Sequence, residues 1–200
     1  MKKILLAGLS CALAATATAQ TEKGARFIGA NLGELSYSKG KKNYGNSSFT
    51  IALYPSAGVF VADNFLLGAT LPLGYSSYKP GNLSGNYSTR VLTYGISPFA
   101  RYYIPGTSPH RFFGQLNAGI MGQTVWAPNY YDGSRDNTTN SYLTYGAAVG
   151  YNYFLTPGAA LEVSAGYSRN DGNLGPAAGA LDVRAGFSIF LPYKGAKAVE

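Results

Sequence analysis

Cysteine is nearly absent. The single residue, Cys11, lies in the first twenty positions, so no disulfide is available to staple the rest of the chain. Leu9-Ser10-Cys11 is loosely lipobox-like, but it would leave a very short hydrophobic region. Histidine is as scarce: His110 alone supplies neither a zinc ligand set nor a base with an orienting partner. No GxSxG, HExxH, phosphate loop or cysteine pair is present, which removes the commonest hydrolase, metalloprotease and nucleotide-binding signatures. Charge is sparse too, 12% of residues against roughly 25% in an ordinary soluble domain. Also missing from the body of the chain is any apolar run near the roughly 20 residues that a spanning helix needs.

What is present is glycine (26), tyrosine (17) and a mean hydropathy of -0.04 over 200 residues. Strands that interleave apolar and polar side chains average to such a value.

The first nineteen residues read as a signal peptide. Met1-Lys2-Lys3 is a basic start, residues 4–15 are apolar but too short to span, and Ala17-Thr18-Ala19 has the small-x-small form of a cleavage site. Cleavage after Ala19 leaves Gln20 at the new terminus and residues 20–200 as one domain. Loss of Lys2 and Lys3 lowers the net charge from +7 to +5. An exported basic chain is expected to meet an anionic lipid surface rather than nucleic acid.

Period-two alternation is clearest near the C-terminus. Leu161, Val163, Ala165 and Tyr167 share one face; Leu181, Val183, Ala185, Phe187, Ile189 and Leu191 share another. The same pattern predicts eight strands, at 25–37, 48–61, 65–78, 89–103, 111–126, 141–154, 159–169 and 180–191. The opposite face is small or polar: Thr93, Gly95 and Ser97, or Gln115, Asn117 and Gly119. Few of these residues are charged, which fits a barrel with apolar residues toward lipid and a packed polar interior. Connections alternate between short (63–64, 104–110, 155–158) and long (39–47, 79–87, 127–140, 170–179). The expectation is an all-β, eight-stranded, antiparallel up-and-down transmembrane β-barrel with both termini periplasmic. Pro55, Pro72 and Pro98 fall inside predicted strands and stand against it.

At this point the chain resembles the small outer-membrane β-barrel domains of Bacteroidota, similar in fold to outer membrane protein X and the membrane domain of outer membrane protein A. The resemblance rests on Val61-Ala62-Asp63-Asn64-Phe65-Leu66-Leu67-Gly68, Ser97-Pro98-Phe99-Ala100-Arg101-Tyr102-Tyr103, Phe112-Phe113-Gly114-Gln115-Leu116 and Tyr153-Phe154-Leu155-Thr156-Pro157. These are scaffold segments, so they imply fold far more than activity. The last strand also resembles a barrel-assembly signal, with Arg184, Gly186, Ile189 and Leu191 in place. The chain then continues through 192–200 instead of ending on an aromatic residue.

Four charges fall on the expected inner face: Arg101, Glu162, Asp182 and Arg184. They read as a balanced salt-bridge network that plugs a narrow barrel, or as the lining of a selective pore; the first is preferred because eight strands leave room only for side chains. If Tyr167 lies opposite Leu181, the last two strands set Glu162 opposite Gly186; Glu162 is then expected to pair with its diagonal neighbour Arg184, with Asp182 and Arg101 completing or flanking the cluster. Lys39, Lys41, Lys42, Lys79, Arg135 and Arg169 are assigned to outer loops, where they either contact lipopolysaccharide or serve as solubilising charge. His110 is placed in a periplasmic turn. Barrel enzymes such as lipid A deacylases and omptin-like proteases need histidine at the outer rim, so an enzyme is disfavoured. Asp132 and Asp136 fail the calcium-loop spacing. No cofactor and no metal are expected. The partners expected are outer-membrane lipid, lipopolysaccharide and the barrel-assembly machinery, for a non-enzymatic monomer. A small-solute channel is the alternative.

Overall fold

The computed structural model describes residues 21–40, 45–81, 87–107, 109–129, 134–171 and 179–192. Among them nine strands order as β1 (Arg26–Lys39), β2 (Ser47–Ala62), β3 (Phe65–Thr70), β4 (Leu73–Lys79), β5 (Thr89–Tyr103), β6 (His110–Pro128), β7 (Arg135–Thr156), β8 (Ala159–Asn170) and β9 (Gly179–Leu191). All pair antiparallel, and β1 pairs with both β2 and β9, so the sheet closes on itself. β3 and β4 are one stave broken at Leu71-Pro72; the pairing with β2 and with β5 keeps its register across the break. The ring therefore has eight staves. Closure removes every open edge, which is what allows a sheet to cross a membrane.

Pro55 and Pro72 are accommodated by that break. The Leu71 amide donates to the Pro55 carbonyl at 2.8 Å, which turns the polar side of Pro55, lacking its own N–H, toward the interruption at Pro72. Pro98 pairs with Ala69 of β3, and the ladder from β5 to β6 skips Ser97 and Pro98.

The outside is apolar all round. Ile28, Leu53, Leu67, Leu116 (66% exposed), Val149, Val163 and Leu181 (85% exposed) point outward. Buried Phe27, Phe60, Leu66, Phe99, Tyr103, Phe113, Phe154 and Phe190 point inward. An exposed apolar face around the whole ring is the signature of a transmembrane β-barrel. Among the described residues no helix is long and apolar enough to cross.

The short connections and both ends of the described chain share one end of the barrel. Arg26 pairs with Leu191 and with Val59 there. Residues 21–25 fold over the Asp63-Asn64 turn: the Asn64 amide donates to the Thr21 carbonyl at 2.7 Å, the Gly24 amide to Phe60 at 2.7 Å, and the Lys23 amide to Asp63 Oδ1 at 2.8 Å. Asn64 holds φ at 61°, a left-handed value that asparagine tolerates better than most residues.

One connection differs from expectation. Of residues 127–140, expected as loop, 127–128 and 135–140 are strand: β6 reaches Pro128, β7 starts at Arg135, and the two pair from that end, with Thr124 and Thr139 hydroxyls 3.0 Å apart. The β-branched threonines of this polar stretch favour strand even though nothing apolar marks it. Arg135 moves with this change, into β7; at the opposite end of the barrel His110 opens β6 instead of sitting in a turn.

Candidate functional site

The inward face of the barrel is where polar chemistry collects. Its centre is Glu162 on β8, 1% exposed. Oε2 accepts from Arg101 Nη1 (2.8 Å), Ser188 Oγ (2.7 Å) and Asn152 Nδ2 (3.3 Å), and Oε1 accepts from Arg101 Nη2 (3.0 Å) and Asn31 Nδ2 (3.0 Å). Five donors surround one buried carboxylate, so its charge is compensated. Arg101 also donates from Nε to Gln115 (2.8 Å) and from Nη1 to the Tyr103 hydroxyl (3.0 Å), and its guanidinium lies 3.9 Å over the Phe113 ring.

Beneath this pair the rings form a floor. Phe190 is its hub, 4.8 Å from Phe154, 5.5 Å from Phe27, 6.1 Å from Tyr103 and 6.2 Å from Phe60 between centroids. Two glycines make room. A Cβ on Gly150 would fall against the Phe113 ring, and one on Gly186, opposite Glu162, would collide with Asn31.

Above the pair stands a second ion pair, Arg184 Nη2 to Asp182 Oδ2 at 2.9 Å, with both side chains a little over a quarter exposed. Arg184 lies 3.9 Å over the Tyr54 ring.

The expected pairing of Glu162 with Arg184 is therefore a correction. The register that suggested it is right, since Tyr167 faces Leu181 and Glu162 faces Gly186. But Glu162 takes Arg101, from β5, three staves away around the ring. In so narrow a barrel a long side chain crosses the lumen as easily as it reaches its diagonal neighbour. Arg184 is held instead by Asp182, two residues along its own strand. Ser188, Asn31, Asn152, Gln115 and Tyr103 complete the centre; of these, alternation had singled out Gln115 on the polar face. The floor phenylalanines went unread because they lie on the face whose other members are small and polar.

The other expected site residues are spread out. Lys39 and Lys79 are the last residues of β1 and β4, exposed at the long-connection end. Arg169 is no loop residue; it lies within β8, exposed, paired with Tyr145 and Gly179. Lys41, Lys42, Asp132, most of the tail, and Ala17 and Ala19 lie outside the described residues. Arg184 and Gly186 of the assembly segment face inward, while Ile189 and Leu191 face outward on the strand that closes the ring against β1. His110 hydrogen-bonds the Tyr151 hydroxyl and packs 5.1 Å from the Tyr153 ring, an exposed cluster at the short-turn end. Among the described residues no three metal-binding side chains gather.

Comparison with solved structures finds small barrels of the same kind. A major outer membrane protein from Thermus thermophilus aligns over 84% of this chain and 99% of its own, at 15% identity and a TM-score of 0.53. The likeness is one of fold. Neisserial surface protein A (17% identity, 86% of this chain, all of its own, TM-score 0.48) and OprG from Pseudomonas aeruginosa (13%, 88% and 99%, TM-score 0.47) are also similar. No family model and no curated protein matches the chain.

Proposed function

We propose that this chain is a closed, non-enzymatic structural barrel of a Gram-negative outer membrane, one of the small barrel domains like those of Bacteroidota. Export through residues 1–19 and insertion by the barrel-assembly machinery would leave both termini in the periplasm. Lys39, Lys79 and Arg169 at the long-connection end, with Lys41, Lys42 and Arg135, would then meet lipopolysaccharide phosphates, each contributing roughly 1 kcal/mol near an anionic surface. An outside that is apolar all round suits a monomer in lipid.

The observation that carries the reading is the floor. The Arg101–Glu162 pair and the rings below it occupy the cross-section that a solute would have to pass. The test is heat-modifiability on a gel after detergent extraction, followed by conductance in planar bilayers. The expected result is a heat-modifiable protein with no unitary current. Steady conductance would replace the scaffold with a small-solute channel.

A further inference from the structure

Charge is distributed unevenly around the outer wall at the long-connection end. The ladder sets Lys39 of β1 and Lys79 of β4 opposite the same residue, Ser47 of β2. Two strand spacings separate them, roughly 10 Å in all. Arg90 of β5 pairs with Ser77, two residues before Lys79, so it is the diagonal neighbour of Lys79 and within reach of a long side chain. All three cations are exposed, and none has a carboxylate within ion-pair distance among the described residues. Each continues the outward column of its strand. Lys39 follows Leu35 and Tyr37, Lys79 follows Leu73 and Tyr75, and Arg90 precedes Leu92 and Tyr94. The three therefore lie on the lipid side of the wall.

The sequence keeps this side free of acid. From Leu35 to Tyr131 the one carboxylate side chain is Asp63, in a turn at the far end of the barrel. The connections that adjoin the patch, 40–46 and 80–88, add Lys41 and Lys42 and no acid. Glu34 lines the lumen beside Tyr54, and Asp136 of β7 lies two strands from Arg90. Across the ring from β4, on β8, the balance is different: Arg169 is followed two residues on by exposed Asp171. Like charges set side by side repel, so the patch gains from an anion that several cations share.

Below the cations the same face is aromatic and aliphatic. Phe49 stands between Tyr37 and Ser77, its ring 6.5 Å from that of Tyr75, and Leu35 and Ile51 follow two residues down. A soluble polyanion would use the charges and leave this surface idle. A lipid with phosphates above and acyl chains below would use both.

We propose that the outward face of β1, β2, β4 and β5 at the long-connection end is a single seat for a phosphorylated, acylated glycolipid of the lipid A class, held by Lys39, Lys79 and Arg90. This rests on the reading that the barrel meets lipopolysaccharide there. It narrows that contact to one side of the ring, adds Arg90 and leaves Arg169 out.

The test is native mass spectrometry of the barrel as extracted from the membrane, in neutral detergent. The probe is diphosphoryl lipid A; the controls are its dephosphorylated form and a heparin tetrasaccharide. Diphosphoryl lipid A should bind best. Lys39→Gln, Lys79→Gln and Arg90→Gln should each weaken it roughly fivefold and together roughly a hundredfold, while Arg169→Gln stays within about twofold. Heat-modifiability checks that each variant folds; should the triple variant not fold, Arg90→Gln decides. Equal binding of the dephosphorylated lipid would overturn the seat. So would equal binding of the tetrasaccharide, which would make the patch a site for a soluble polyanion. An Arg169→Gln loss as large as that of Arg90→Gln would defeat the one-sided seat alone and leave lipopolysaccharide contact spread around the rim. No binding of lipid A at all would defeat both, while conductance still judges the closed barrel separately.

Discussion

On the short-turn side of Glu162 the lumen is filled with rings; on the long-connection side it is lined with hydroxyls and amides around open space. Each half holds one arginine–carboxylate pair, and the two pairs differ in every respect that sets their energy. Arg101 and Glu162 are buried, meet through both terminal guanidinium nitrogens, and are ringed by five further donors or acceptors. Asp182 and Arg184 meet through one contact between near neighbours on one strand and stay partly wet. A buried pair gives little net stability when formed but is costly to break, whereas a wet pair is cheap both ways. The floor is thus a place where one substitution matters and the chamber one where it does not. That is the arrangement expected if the first holds the barrel shut.

The largest effect is expected at the floor. Glu162→Gln leaves the Arg101 charge buried without its counterion and should destabilise the folded barrel by about 3–5 kcal/mol, read from urea unfolding in lipid vesicles. Arg101→Met combined with Glu162→Gln should cost less than the two single changes added together. Strict additivity would mean that the pair does not act as a unit, and the contrast between the halves would lose its physical basis.

The next effect tests the wall that both halves share. Val183 points at lipid between Leu181 and Phe187, 63% exposed. Val183→Arg should cost roughly 2–4 kcal/mol near the bilayer midplane, less if the site lies nearer the rim. An unchanged midpoint in the same assay would place that face in water and undo the inside-out assignment.

How far this was legible in the sequence follows from what period two can report. Alternation says which way a residue points, and the outward Leu161, Val163, Leu181 and Val183 were readable for that reason. A register followed from treating β8 and β9 as antiparallel neighbours joined by a single loop, and it agrees with the pairing of Tyr167 and Leu181. Alternation carries no distance across a closed lumen, so Arg101 on β5 could not be matched to Glu162 on β8. Nor does it separate a floor from a chamber. Phe99 and Ser97 share an inward face, as do Phe190 and Ser188, and only the closed ring shows that the phenylalanines gather at one height. The strand content of 135–140 was hidden for a different reason. Both faces of that segment, Arg-Asp-Asn-Thr-Thr-Asn, are polar, so there was no contrast to read.

A smaller effect belongs to the boundary of the floor. Ser188 is fully buried and gives its hydroxyl to Glu162 at 2.7 Å. Ser188→Thr keeps the donor but adds a methyl group where the packing is tight, a change expected to cost about 1–3 kcal/mol by overpacking. A loss near zero in the urea midpoint would mean that the loose packing of the chamber extends down to the carboxylate.

The smallest effect is expected in the chamber itself. Asp182→Asn removes the charge that faces Arg184 but keeps a carbonyl oxygen to accept its hydrogen bond. The Arg184 guanidinium retains its contact with the Tyr54 ring and its access to water in the cavity. Because both partners are partly exposed, the change in stability should be within about 1 kcal/mol, against several at Glu162. Salt sharpens the same contrast. Raising ionic strength from about 0.01 M to 1 M shortens the screening length from about 30 Å to 3 Å, and this should shrink the Asp182→Asn difference while leaving that of Glu162→Gln nearly unchanged. If Asp182→Asn instead proves as damaging as Glu162→Gln, and as indifferent to salt, the upper lumen is as dry as the floor. An open, wet chamber would then have no place in this barrel.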